Sequence, residues 1–239
     1  MELEALFFGS HPDDVELTSG GLAALLAASG VAVGIIDLTR GELGTRGTVE
    51  VRAAEAAAAA KQLGVAHRST LALPDGGLDR HDREQLRTVV ECLRRFRPRL
   101  VVAPDRADPH PDHVESSELV TRACYLAGLA RYPASLERWR PERVLYALYR
   151  GTASPDLVVD VSAVWQKRMA ALAEHKSQLD PDAGPGTYLT APGFLGEVEG
   201  RGRVFGAVAG AMYGEAYRVR GPIVLNDARA LLGAGRSDT

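Results

Sequence analysis

The sequence predicts an α/β domain built on an open, mostly parallel sheet with helices on both faces. Three observations point there. Short apolar runs alternate with helix-patterned segments along the chain. At 239 residues and 46% apolar composition the chain can bury a full core, and one domain over residues 1–239 is the simplest division. Four polar loops, rich in Pro, Gly, His or Asp, each follow a predicted strand, where open parallel sheets gather their ligand sites.

The elements follow in order. Leu3–Gly9 is a short apolar run with two phenylalanines and reads as the first strand. Gly20–Ser29 is helical and Gly30 stops it. Val31–Leu38 is β-branched and reads as a buried strand. Thr48–Gly64 is a helix with Thr48 as N-cap, a nearly all-alanine middle and Gly64 at its end. Ser69–Leu73 is a short strand, and Asp82–Phe96 carries Leu86, Val89, Val90, Leu93 and Phe96 at helical spacing. Arg99–Ala103 is a strand stopped by Pro104, and Glu115–Leu129 is helical. Arg143–Tyr149 and Leu157–Val161 read as strands, and Ser162–Leu179 as one long helix capped by Ser162. Asp180–Gly196 is rich in Pro and Gly and reads as a lid or subunit-contact loop. Arg203–Val219 mixes small residues with aromatics, and Ile223–Leu225 reads as a short strand.

Composition excludes several function classes. The formal net charge is -3 with 25% charged residues, and the arginines are dispersed, so no nucleic-acid surface is expected. The cluster Arg94-Arg95-Phe96-Arg97 lies at a predicted helix end, where the macrodipole favours cations. Only Cys92 and Cys124 are present, both inside helix-patterned segments, which suits reducing cytoplasm and argues against thiolate ligands. The N-terminus carries Glu2 and Glu4 and enters a strand almost at once, so no signal peptide is expected there. No apolar stretch is long enough to span a bilayer.

The chemistry concentrates in two tetrapeptides. His11-Pro12-Asp13-Asp14 follows the first strand, and His110-Pro111-Asp112-His113 follows the fourth. Adjacent carboxylates at a strand end repel each other, and a dication removes that conflict. Two imidazoles and one carboxylate fill three corners of a tetrahedral zinc site and leave one corner for water. One carboxylate and one imidazole then remain for proton transfer, as metal-assisted hydrolysis requires. The same ligand types suit Fe²⁺ or Co²⁺. Read singly, Asp13 and Asp14 are also good helix N-caps, and the second tetrapeptide is also an ordinary polar loop. Arg52 lies in the first turn of its helix, where a cation opposes the dipole. A substrate carboxylate would compensate it, and so would a local pair with Glu50 or Glu55. His67, His81 and His175 read as structural, His175 as a charge late in a long helix. Pro74-Asp75-Gly76-Gly77 is a turn at the ligand edge.

Together these residues resemble the LmbE-like, PIG-L-type family of zinc N-acetylglucosaminyl deacetylases. The resemblance rests on Ser-His-Pro-Asp-Asp-Val-Glu at residues 10–16 and His-Pro-Asp-His at residues 110–113. The closer likeness is to the bacillithiol-biosynthesis branch. It is carried by DLTRGELGTRGTVEVRAAEA at 37–56, LPDGGL at 73–78, PDLVVDVS at 155–162 and HKSQ at 175–178. The commonest family opening is Ala-His-Pro-Asp-Asp-Glu, from which Ser10 and Val15 depart toward that branch.

The resemblance implies a Rossmann-like sheet and the LmbE-like deacetylase fold. It implies Zn²⁺ held by His11, Asp14 and His113. Asp13 would be the general base, protonated His110 the oxyanion stabiliser, Asp112 the orienter of His110, and Arg52 a substrate-binding residue. The family's oxyanion tyrosine has no assignable counterpart. A cytoplasmic homo-oligomer, a hexamer by likeness, is the implied assembly. The implied substrate is a small glycoside, N-acetylglucosaminyl-malate, whose carboxylates Arg52 with Arg46 or Arg106 would receive. Other N-acetylglucosamine conjugates or oligosaccharides are the runner-up, and a noncatalytic zinc-binding protein is the reading from a different class. A nucleotide-binding oxidoreductase is disfavoured, because no Gly-x-Gly-x-x-Gly turn follows the first strand.

Overall fold

The computed structural model describes residues 1–150 and 154–224. Seven strands join one sheet: β1 Ala5–Gly9, β2 Val33–Thr39, β3 His67–Leu73, β4 Leu100–Pro104, β5 Arg143–Ala147, β6 Leu157–Asp160 and β7 Gly214–Val219. The spatial order is β3-β2-β1-β4-β5-β7-β6. The first five strands are mutually parallel, and β7 runs antiparallel to both neighbours. The helices among the described residues are α1 Asp14–Thr18, α2 Gly20–Ala28, α3 Val49–Leu63, α4 Arg83–Phe96, α5 Pro111–Ala127, α6 Trp165–Ala173, α7 Lys176–Leu179 and α8 Phe194–Ala209.

The period-2 alternation of the strands sorts the core onto two faces. Leu6, Phe8, Ile36 and Leu38 point toward α4 and α5 and pack with Val89, Leu93, Leu119 and Val120. Ala5, Phe7, Val33 and Ile35 point the other way, against α2, α3 and α6. The expected caps are in place: Thr48 Oγ1 accepts from the Val51 N–H at 3.3 Å, and Gly64 closes α3 at φ 76°. Asp82 caps α4 through the N–H groups of Glu84 and Gln85.

Several expectations need correction. The helix expected over Ser162–Leu179 is broken: a 3-10 turn over Ser162–Val164 precedes α6, and His175 separates α6 from α7. The helix expected from Glu115 begins at Pro111, because Pro fits the first helical position and His110 caps it. Helices α1 and α8 and strand β7 are additions to the expected elements. Ile223 and Val224 form no strand, and Leu225 lies outside the described residues.

Strand β7 is tied to the start of the chain. The Glu215 carboxylate accepts from the N–H groups of Gly21 (2.7 Å) and Leu22 (2.8 Å), so it caps α2 from 194 residues away. Arg168 Nε lies 3.2 Å from the same carboxylate.

The chain leaves β1 toward β2 and β3 on one side and places β4 and β5 on the other. The loops after β1 and β4 therefore flank the switch point, where open α/β sheets bind ligands.

Candidate active site

Both tetrapeptides meet at that switch point. His11 follows β1, Asp13 and Asp14 start α1, His110 caps α5, and Asp112 and His113 lie in its first turn. Asp14 is the centre of the arrangement. Its Oδ2 accepts from the His11 N–H at 2.8 Å and lies 3.5 Å from His11 Nδ1. Its Oδ1 lies 3.2 Å from His113 Nε2. The ligand atoms of His11, Asp14 and His113 lie within 4.8 Å of one another.

The far nitrogen of each imidazole is braced by carboxylates. His11 Nε2 meets Asp75 Oδ1 at 3.1 Å and Asp112 Oδ2 at 3.2 Å, and His113 Nδ1 meets Asp108 Oδ1 at 3.0 Å. Carboxylates on the outer nitrogens are how proteins fix the tautomer and orientation of metal-binding histidines. A second trio, His11, His110 and Asp112, also lies within 4.8 Å. It is the poorer set, because His110 is exposed and its Nδ1 is already taken by the Asp112 N–H at 3.2 Å.

Charge also fits the first trio to a cation. Burial opposes protonation of His113, yet Asp14 and Asp108 outweigh it and push the imidazole up to about 10. Burial likewise opposes protonation of His11, but Asp112, Asp14 and Asp75 hold it well above the usual imidazole range. Burial would raise Asp14, but His113 and His11 hold it well below the usual carboxylate range. With protein groups alone, the carboxylates keep two protons on the imidazoles. A dication supplies the same charge and releases those protons.

Asp13 is set apart from this trio. It is buried, and its backbone sits at φ 137°, a region non-glycine residues rarely occupy. Such strain concentrates at functional positions. Burial raises its carboxyl to about 6 against the pull of the Arg52 guanidinium 3.7 Å away. Arg52 does not pair with Glu55, which instead binds Ser177. It is buried and donates to the carbonyls of Gly41 (2.9 Å) and Pro12 (3.1 Å). A Cβ at residue 41 would fall 2.0 Å from Arg52 Nη1, so Gly41 is the residue that admits the guanidinium. Arg52 thereby clamps two site loops while its head lines the cavity beside Asp13.

Several roles differ from the sequence expectation. The Asp112 carboxylate does not orient His110; it holds His11 and accepts from the Gly76 N–H at 2.8 Å, and only its backbone reaches His110. Because His110 Nδ1 accepts that cap bond, the ring is a neutral Nε2–H donor, and burial with the charges of His113 and His11 lowers its pKa. Arg46 and Arg106 do not serve the cavity. Arg46 is buried and donates to the carbonyls of Ser177, Asp180 and Pro185, and Arg106 lines a separate hollow.

A cavity of about 460 Å³ opens over this floor, large enough for a glycoside. Tyr149, Arg150, Tyr188 and Leu189 also line it, the last two from the Asp180–Gly196 segment. Behind the site, His175 is 1% exposed, with Nε2 3.4 Å from Glu16 Oε2. Arg68 bridges Glu16 and Asp37. Asp108, Tyr149 and Arg150 carry no sequence signal that marks them for the site, and Asp75 carries only that of a turn. His175 reads from sequence as a charge late in a long helix, and the structure replaces that helix with a break at this residue. His67 and His81 stay outside the site, as expected: His67 meets Ser69 and His81 meets Arg122.

Comparisons with known proteins bear on the fold and the family. A conserved protein of Thermus thermophilus superposes with a TM-score of 0.86 at 37% identity, covering 93% of this chain and 97% of that one. The diacetylchitobiose deacetylase of Thermococcus kodakarensis is 32% identical over 72% of this chain and 68% of its own length. The 1D-myo-inositol 2-acetamido-2-deoxy-alpha-D-glucopyranoside deacetylase of Rhodococcus jostii is 28% identical over 74% of this chain and 82% of its own. The family model described as GlcNAc-PI de-N-acetylase matches residues 6–124, which contain both tetrapeptides and every brace of the histidines. This chain belongs to the PIG-L family, whose deacetylase fold it shares.

Proposed function

We propose that this protein hydrolyses the N-acetyl group of an N-acetylglucosamine conjugate, giving acetate and the free amino sugar. The chain acts as one deacetylase domain, residues 1–239, in the cytoplasm and as a homo-oligomer. The observation that carries the reading is a strained, buried Asp13 raised to about 6 beside, but outside, a braced donor trio. The two relatives named as deacetylases act, by those names, on acetylated amino sugars, which supports the same bond here.

In this reading His11, Asp14 and His113 would hold zinc, with Fe²⁺ or Co²⁺ suited to the same donors. A bound dication supplies Lewis acidity, polarising the acetamido carbonyl and acidifying water. Asp13 accepts the proton of the attacking water as its oxygen bonds to the carbonyl carbon. The His110 Nε2–H donates to the carbonyl oxygen as charge develops on it. Arg52 holds Asp13 against the substrate and contributes to binding. The C–N bond then breaks, and the proton on Asp13 passes to the leaving nitrogen. Asp112, through His11 and Gly76, fixes the floor on which this happens.

For the aglycone, malate is the specific proposal, resting on the likeness of residues 37–56 to the bacillithiol branch. The relatives named above carry other aglycones. The test is free-amine release by zinc-loaded protein from N-acetylglucosaminyl-malate and from methyl N-acetylglucosaminide, beside a chelated control. Chelator-sensitive release from either sugar is expected. Absence of release from both rejects the deacetylase, and equal release from both rejects malate specificity alone.

A further inference from the structure

The cavity that holds the His/Asp floor is also lined by one cation that has no anionic partner among the described residues. The Arg150 guanidinium carbon lies 3.6 Å from the Tyr188 ring centroid and 5.2 Å from that of Tyr149. Among the described residues it makes no salt bridge, and residues 151–153 are Gly-Thr-Ala, which hold no carboxylate. The other arginines nearby are occupied. Arg46 serves backbone carbonyls, Arg52 serves two carbonyls and lies 3.7 Å from Asp13, and Arg201 meets Glu197 at 2.9 Å. Arg150 also lines the cavity, whereas Arg106 and Arg218 line another hollow.

The arrangement suits anion capture. Stacking on Tyr188 restrains the long side chain before any ligand arrives, so less rotamer freedom is lost on binding. Stacking uses the face of the guanidinium and leaves its edge N–H donors available, and those donors match carboxylate or phosphate oxygens. Asp13, Asp14 and Asp75 line the same cavity and make their side of it less favourable to an anion than the Arg150 side. An anionic group therefore belongs on the Arg150 side, with the acetamido group toward the floor.

We propose that Arg150 is a specificity-determining residue: it selects N-acetylglucosamine conjugates whose aglycone carries a carboxylate or phosphate. This rests on the deacetylase reading above and names the residue that reads the aglycone, in place of Arg46 and Arg106. An exposed charge-assisted contact of this kind is worth about tenfold in affinity.

The experiment is calorimetric binding to zinc-loaded protein, with acetate release followed in parallel. The probes are N-acetylglucosaminyl-malate, N-acetylglucosamine 1-phosphate and neutral methyl N-acetylglucosaminide. The intact protein should bind at least one anionic probe about tenfold more tightly than the neutral one, and which probe gains identifies carboxylate or phosphate. In Arg150→Gln the ratio of anionic to neutral affinity should collapse toward one, and Arg150→Lys should retain part of it. Equal affinity for all three probes, or a preference that survives Arg150→Gln, overturns the proposal. Charge preference that depends on Arg150 without acetate release leaves the assignment standing and rejects the deacetylase. Acetate release without charge preference does the reverse.

Discussion

Replacing Asp108 by Asn tests whether the braces on the histidines serve a metal. Asp108 Oδ1 lies 3.0 Å from His113 Nδ1 and accepts from the His110 N–H at 2.9 Å. Asn keeps the size and one acceptor but loses the charge. Losing such an outer partner typically weakens metal binding by about 10–100-fold, or about 1.4–2.7 kcal/mol. Two effects compete. The His113 side chain is only 9% exposed, so solvent screens the lost charge weakly. The same carboxylate, however, helps hold a proton on His113 up to about 10, and zinc must displace that proton. Near pH 7 the proton competition offsets part of the loss, so about tenfold is expected. The gap should widen as pH rises and the native imidazole sheds its proton. The assay is a zinc competition titration against a chelator at pH 6, 7.5 and 9. Unchanged affinity at all three, with zinc binding lost in His113→Ala, would show that Asp108 does not brace a ligand.

Other outcomes follow from the same structure. Asp13→Asn should keep its zinc content and lose about 10²–10⁴-fold in turnover, and near-normal activity would remove Asp13 as the base. Glu16, whose burial is outweighed by Arg68 and His175, is held down to about 2 from 4.5. A lowered carboxyl contributes stability that is present above its unfolded pKa and lost as pH falls through the folded one. The stability gap between the protein and Glu16→Gln, on the order of 3 kcal/mol at neutral pH, should therefore shrink between pH 4.5 and 2 in urea titrations; a gap independent of pH would refute it. Burial pushes the Cys92 and Cys124 thiols up to about 12, so neither should react with a disulfide reagent at neutral pH until the chain is unfolded.

The parallel half of the fold is legible in the sequence because each strand there is a short apolar run between turn residues, and Thr48 and Gly64 announce their caps. The last third is not. Helix α8 holds Gly196, Gly200, Gly202 and Gly206, which dilute its periodicity, yet Gly202 and Gly206 are what let it approach Trp165 and the Ala211–Tyr213 backbone. The break at His175 lies in a segment whose composition reads as helix throughout. Its cause is tertiary: the ring is buried against Glu16. The donor trio is visible because two tetrapeptides announce it, and its seating at the strand ends follows from the topology. The braces are not, since Asp75 looks like any turn aspartate and Asp108 like any loop aspartate. Only the register of β3 and β4 against their neighbours decides which carboxylates face an imidazole.

Strand β7 imposes an order on assembly. Among the described residues it is the last strand in sequence, yet it lies between β5 and β6, so β6 has no partner in the sheet until residues 214–219 arrive. Before then β5 presents an open edge, the surface on which unfinished chains join one another. The N-terminus of α2 also waits for Glu215. On the ribosome the parallel strands can pair as they emerge, but closure of the sheet and capping of α2 come together, only once residues 214–219 are available. Aggregation of this protein should thus depend less on the strength of its core than on how long an unfinished chain must wait for that strand.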